Sequence, residues 1–293
     1  MADTADGLTF ILPVFDQEKT LGKSLSAWIP VLNSLGRPYE VLIVDDGSKD
    51  GTRAQADSLA TRNNRVKILA HAEHRGYGAS LRSALEGSSY PLIFYTSADP
   101  GWHPSDLPRM LKSLDIRDEY TGKQVELVNG HRRGSALPPA RKWFNRIYRA
   151  FVRIGFGYWP EPSKGWLGRA EDRFWWRCRV LFGLRVGDIN CKFKLFRRSV
   201  FDRMVIQSDG EFVNAELLAK TNFLGCMMDE VALAARHVPG PLPDTRKEQW
   251  RLFKNAKFRS PVPTPGWPDS KPKEDPALLP AAPPQPEPVA PPP

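Results

Sequence analysis

The order of short apolar runs and helical patterns between Leu8 and Gly130 restricts this chain more than any other feature. β-rich runs alternate with segments of helical period, which is the order that a parallel sheet with right-handed crossovers requires. LTFILPVF reads as the first strand, Leu21 to Leu35 as a helix, and YEVLIVDD as a second strand apolar enough for burial on both faces. Asp50 to Arg62 and Tyr77 to Gly87 follow helical patterns on either side of an extended Arg65 to Ala70. PLIFYTSAD is the fourth strand, Pro104 to Leu114 a helix with proline at an early position, and Gln124 to Asn129 a fifth strand. The class is α/β.

Composition bounds the rest. Of 293 residues, 41% are hydrophobic and 26% charged, and no run approaches the roughly 20 apolar residues that span a bilayer. The N-terminus, MADTADGLTF, lacks the order of a signal peptide, so the address expected is cytoplasmic. Residues 1–240 are read as one domain and 241–293 as a basic to proline-rich tail, because 14 of the 28 prolines lie between Pro261 and Pro293. Such a tail is expected to be largely disordered or polyproline-like; it serves as a spacer or binds a proline-recognising partner that the sequence does not identify. Cys178, Cys191 and Cys226 form no CxxC pair and are an odd number, which argues against a disulfide framework or a four-ligand zinc site.

Charge is regional. Residues 131–198 carry 17 Lys and Arg against 4 Asp and Glu, or +13, so the remainder of a +9 chain sums to -4. That patch should attract an anion: phosphate, nucleic acid or an acidic lipid surface. Within it, Trp143, Ile147, Phe151 and Ile154 recur at helical spacing while Lys142, Arg146, Arg149 and Arg153 fall on another face, a basic amphipathic helix at 141–156. This helix either lies on an anionic bilayer or packs its stripe on the domain with a solvated basic face. The Trp- and Arg-rich segment at about 157–183 is read as an insertion that covers an acceptor site, deepens membrane contact or packs as a subsidiary helix. Aromatic residues interleaved with arginine also suit single-stranded nucleic acid, but no nucleic-acid module accompanies them, and nucleic acid is disfavoured as a partner.

In an open parallel sheet, ligands bind at the carboxyl ends of the strands. Three polar clusters fall there: Pro13 to Glu18, Asp45-Asp46-Gly47-Ser48, and Asp99. Adjacent carboxylates at a buried strand end repel unless a donor or cation is bound, so Asp45 and Asp46 favour a site. Equally, Asp46, Ser48 and Asp50 suit helix capping, with Gly47 and Gly51 shaping the turn.

Taken in order, these segments resemble the family 2 inverting glycosyltransferases of GT-A fold, especially the branch that moves a hexose to polyprenyl phosphate. ILPVFDQEKTL, VLIVDDGSKDGT, HRGYGASLRSAL, SADPGWHPSDL, VNGHRRG, GDINCKFKLFRR and GEFVNAELLAKTNFLG carry the likeness, over about Leu8 to Val238. It implies a mixed, mostly parallel sheet flanked by helices. It implies a pocket for the base shaped by Pro13 and Phe15, with Gln17 in the same loop, Asp45 bonded to the base and Asp46 beside the ribose. Asp99 would hold a divalent metal, Mg2+ or Mn2+, that bridges the diphosphate; Asp188 would act as general base or orienting acceptor at the reaction centre. Lys194, Lys192 and Arg132 would balance the charge of acceptor and leaving group, and His103 would at most assist from a surface turn.

Two positions depart from the family pattern. Ser97 stands where Asp-x-Asp begins, and Gln17 stands where the first loop has glutamate, with Glu18 beside it pointing elsewhere. The function implied is hexose transfer from a nucleoside diphosphate sugar to an acceptor, polyprenyl phosphate first, with inversion, by a protein peripheral to the inner face of the membrane. The alternatives are a saccharide or other non-lipid acceptor, for which the Gln-x-x-Arg-Trp of polymer-forming members is not matched by KEQWRLF, and a non-catalytic nucleotide-binding or membrane-surface scaffold.

Overall fold

A computed structural model describes residues 6–99, 101–133, 177–178, 181–184, 186–236 and 245–259. All belong to the first of two units, Met1–Pro263 and Thr264–Pro293. The helix expected at 141–156, most of the segment at 157–183 and the proline-rich stretch from Pro261 lie outside the described residues.

The chain runs β1 (Leu8–Val14), α1 (Glu18–Ser34), β2 (Tyr39–Asp45), α2 (Thr52–Arg62), β3 (Val66–Ala70), α3 (Tyr77–Gly87) and β4 (Leu92–Tyr95), a short 3-10 turn (Pro104–Asp106), then α4 (Leu107–Leu114) and β5 (Val125–Arg133). It continues with β6 (Lys194–Arg197), α5 (Arg198–Asp202), α6 (Val213–Phe223), β7 (Met227–Arg236) and α7 (Arg246–Lys254). Among the described residues, seven strands form one sheet in the order β3-β2-β1-β4-β6-β5-β7. β6 runs antiparallel to both neighbours and the other pairings are parallel, so the sheet is mixed and mostly parallel.

The apolar runs are continuous because both faces are covered. Alternate residues of β1 and β2 enter different cores: Phe10, Leu12, Val41 and Ile43 pack with α1, α2 and α4, whereas Ile11, Leu42 and Val44 pack with α3 and α6. The first core centres on aromatic rings, with Phe10 and Trp28 centroids 4.8 Å apart and Phe94 and Phe193 also 4.8 Å apart. Each such buried ring contributes about 2–3 kcal/mol through the water it releases.

The packed chain extends past residue 240, where the tail was expected to begin. Leu252 of α7 is 3% exposed, and Phe258 forms a bridge with Met204. Composition hid this because α7 is mostly charged and is fixed by two buried residues, Gln249 and Leu252.

Candidate active site at the carboxyl edge of the sheet

Parallel β1, β2, β4 and β5 all end at one edge of the sheet, and antiparallel β6 starts there. The topology therefore carries Asp45, Asp99, Arg132 and Lys194 to a single rim. The order β2-β1-β4 places a switch point beside β1, where outgoing loops separate and leave a crevice.

The loops after β1 and β2 are fastened together. Asp16, at φ 49, holds a left-handed conformation uncommon for a residue with a side chain, and its Oδ1 accepts the Lys49 N–H at 2.8 Å. Its own N–H donates to Ser48 Oγ, and Gln17 N–H donates to Thr52 Oγ1 at 2.7 Å. Glu18 turns toward the same loop and accepts the Gly51 N–H. Pro13 is buried within β1, and Phe15 is 38% exposed with its ring 4.0 Å from that of His74. Sequence reasoning passed over Asp16, the residue that holds this loop.

Asp45 and Asp46 are both 3% exposed, and the chain itself supplies the donors that their adjacency demands. Asp45 Oδ1 accepts the Ser48 N–H at 3.1 Å. Asp46 accepts the Arg75 and Gly76 N–H groups, with His71 Nδ1 at 2.6 Å and His74 Nδ1 at 2.9 Å. An ionised carboxylate only accepts, so His71 carries its proton on Nδ1 while Nε2 meets Ser83 Oγ. The Asp46 hydrogen bonds thus organise the loop from His71 to Gly76, a role beyond the ribose contact implied by the resemblance. Gly47, at φ +76, permits this turn: an added Cβ would lie 2.5 Å from the Glu73 carbonyl carbon. Asp50 takes the capping share, accepting the Thr52 N–H and hydroxyl, and those bonds lower its carboxyl pKa.

Asp99 is exposed, and its Oδ1 accepts the Gly101 N–H at 2.7 Å. Ser97 Oγ accepts the Trp102 indole N–H at 2.7 Å, and that indole packs 5.5 Å from Phe193. The serine thus fixes an aromatic wall where the family pattern has a second acid. Among the described residues no group of three His, Cys, Asp or Glu is arranged to hold a metal.

On the β5 side, Arg132 and Asp188 form a bidentate pair, Nε to Oδ2 at 2.6 Å and Nη2 to Oδ1 at 2.9 Å, with side-chain exposures of 17% and 8%. Asn129 Nδ2 donates to the Asp188 carbonyl and to Glu230, and Glu230 accepts the Gly187 N–H, which locks the loop ahead of β6. Lys194 opens β6 at this rim. It is fully buried, because β6 lies between β4 and β5 with both faces covered, and its Nζ donates to the carbonyls of Ile189 and Cys191. Burial pushes its ammonium pKa down to about 8, partly offset by the Asp188 carboxylate. Lys192 pairs with Glu211 at 2.5 Å and stands 4.8 Å over the Tyr77 ring.

Four buried side-chain polar atoms have no partner among the described residues, and three sit at this rim: Tyr77 Oη, Thr96 Oγ1 and Asn129 Oδ1. Unsatisfied polar atoms each cost about 1–3 kcal/mol, so their concentration at one edge marks a place for a polar ligand or water. None was singled out by sequence reasoning, since nothing in Tyr77, Thr96 or Asn129 announces a missing partner.

The cysteines play no part in this chemistry. All three are buried, and burial pushes the Cys191 and Cys226 thiols up to about 12. A thiol reagent at pH 8 is therefore expected to leave the native protein unmodified and to titrate three thiols after unfolding; rapid native labelling would contradict this packing.

The family model described as Glycosyl transferase family 2 matches residues 9–205. An undecaprenyl-phosphate mannosyltransferase of Micrococcus luteus is 26% identical over 232 residues, covering 76% of this chain and 81% of that protein. An undecaprenyl-phosphate 4-deoxy-4-formamido-L-arabinose transferase of Pseudomonas paraeruginosa is 24% identical, covering 68% of this chain and 50% of its own length. The chain thus spans about half the length of the latter relative. Glucosyl-3-phosphoglycerate synthase from Mycobacterium tuberculosis, solved with Mn2+, uridine diphosphate and glucosyl-3-phosphoglycerate, superposes with a TM-score of 0.54 at 17% identity, covering 85% of this chain and 77% of that one. That likeness establishes the fold, a GT-A sheet with its flanking helices.

Proposed function

The chain belongs to glycosyl transferase family 2, and from that premise we propose that it moves a hexose from a nucleoside diphosphate sugar to polyprenyl phosphate, with inversion at the anomeric carbon. The observation that carries this reading is the convergence of the loops after β1, β2, β4 and β5 on one rim that also holds the three unpartnered polar atoms. The acceptor is inferred from the relatives named for undecaprenyl phosphate.

In this reading Phe15, Pro13, Gln17 and Asp45 line the base pocket and Asp46 keeps the loop beneath the ribose in shape. The acceptor phosphate is already anionic near neutral pH, so its oxygen attacks the anomeric carbon without a base. The bond to the donor diphosphate breaks on the opposite face, and its electron pair leaves with the nucleoside diphosphate. Asp188, clamped by Arg132, orients the acceptor side, and Lys194 holds the loop that carries Asp188. Lys192 and Arg132 supply positive charge to the rim.

A divalent cation fits this rim in one way. Asp99 is a lone exposed carboxylate, which suits Mg2+ or Mn2+ held chiefly by substrate phosphates and one protein oxygen. When bound, the cation would neutralise charge on the departing diphosphate. Among the described residues no helix is long and apolar enough to cross a membrane.

The test is incubation of the purified protein with labelled uridine and guanosine diphosphate hexoses, undecaprenyl phosphate and Mn2+ or Mg2+. Label extracted into organic solvent as an acid-labile lipid product is expected. Label transferred only to water-soluble saccharides, or no donor consumption with any sugar, overturns the reading and favours the saccharide-acceptor or scaffold alternative respectively.

A further inference from the structure

Helix α7 presents a face that the proposed chemistry does not use. Trp250 is 51% exposed and Phe253 50% exposed, three residues apart on the same helix, with ring centroids 5.6 Å apart and near-parallel planes at 26°. Lys254 Nζ stands 5.1 Å from the Trp250 ring. Residues 246–259 hold six Lys and Arg, all exposed, against one acid, Glu248, which gives a local charge of +5.

The opposite face of the helix is firmly seated. Leu252 enters the core, Gln249 Oε1 accepts from Arg177 Nε at 2.7 Å, and Arg251 Nη2 donates to the Gln207 carbonyl at 3.0 Å. Gln207 answers by donating Nε2 to the Asn255 carbonyl and accepting the Lys257 N–H. This anchoring joins α7 to the loop that ends at Asp209, whose carbonyl accepts the Gly78 N–H at the start of α3, beside the rim.

We infer that α7 docks on an anionic lipid surface, with Trp250 and Phe253 seated at the headgroup level and Lys247 and Lys254 against the lipid phosphates. An aromatic pair held in water by a well-anchored helix gains by leaving water, and an amphipathic ring suits the boundary between headgroups and acyl chains. The surrounding charge selects what covers the pair, since acidic headgroups complement a +5 segment and a neutral apolar partner does not. Because α7 is tied to the rim through the Gln207 to Asp209 loop, docking would hold the site near the bilayer. The inference rests on the lipid-phosphate reading only for its purpose; vesicle binding is scored without donor or acceptor, so either fails independently.

The experiment is flotation of the full chain with phosphatidylcholine vesicles, with and without phosphatidylglycerol. Wild type is expected to float with the anionic vesicles, weakly with the neutral ones, and less at high salt. Trp250→Ala/Phe253→Ala and, separately, Lys247→Glu/Lys254→Glu are expected to lower the partition coefficient about tenfold or more, at unchanged melting temperature. A wild type that does not bind, or two variants that bind as well as wild type, would overturn the assignment. So would a dimer in solution that the aromatic variant converts to monomer, since a second copy would then be the occupant.

Discussion

Arg132→Ala and Asp188→Ala are each expected to lower sugar transfer by about two orders of magnitude or more, with little loss of donor binding. The pair is bidentate and mostly shielded, with Arg132 17% and Asp188 8% exposed at the side chain. Truncating one partner of such a pair strands the other charge in a poorly solvated place, at about 3–5 kcal/mol. The damage is local because the Asp188 loop is also held by Asn129, Glu230 and Lys194, so the fold should survive while the acceptor side loses its geometry. The double variant should be no worse than the poorer single, because the two side chains act as a unit. Arg132→Lys should fall between, keeping the charge but losing the fork. Steady-state transfer alongside donor affinity checks this; near wild-type turnover in Asp188→Ala, or additive losses in the double variant, would count against the clamp.

The second large effect falls on stability. Glu216 and Lys220 of α6 form an ion pair at 2.7 Å in which both side chains are 0% exposed. Glu216 accepts the Gln207 and Ser208 N–H groups, and Lys220 donates to the Val205 carbonyl and to Gln207 Oε1 at 2.8 Å, so the pair binds the whole 205–208 loop to the helix. Burial pulls the Lys220 pKa down against the pull of Glu216. Glu216→Ala should therefore cost about 3–5 kcal/mol, leaving an uncompensated ammonium and two orphaned amides. Replacing both residues by apolar side chains of similar volume should cost markedly less, since the stranded charge disappears. Urea denaturation of the two variants distinguishes them; a loss under about 1 kcal/mol in Glu216→Ala would show that the pair is solvated in solution.

Most of the sheet was legible because β1 and β2 are buried on both faces, and a run such as FILPV or VLIV suits little else. Strand ends were less so. β4 was read through Asp99 but pairs only to Tyr95, where its register with Ile11 stops; β5 was read to Asn129 but continues to Arg133 because β7 keeps pairing with it. Those limits are set by a neighbouring strand, which no local pattern reports.

The site was legible as a list of positions and not as a set of partners. Asp45, Asp99 and Asp188 follow strand ends or precede β6, so their common rim follows from strand order. The bonds of Asp46 come from residues 25 to 30 positions later, and the pairing of Arg132 with Asp188 spans 56. Lys194 was named only by its place in GDINCKFKLFRR; its burial follows from the insertion of β6 between β4 and β5, which no local pattern reports. α7 escaped notice because its packing rests on one leucine and one glutamine amid charge.

Calorimetric titration of uridine and guanosine diphosphates into the purified protein, with and without Mn2+, tests most directly whether the carboxyl rim grips a nucleotide. Saturable binding of one equivalent is expected, strengthened by Mn2+, weakened about tenfold or more by Phe15→Ala and Asp45→Ala, stripped of its Mn2+ dependence by Asp99→Ala, and unchanged by Arg37→Ala, which lies between α1 and the start of β2 and so at the opposite edge of the sheet. Binding that is absent for both nucleotides, or that ignores Phe15 and Asp45 while responding to Arg37, would contradict the account.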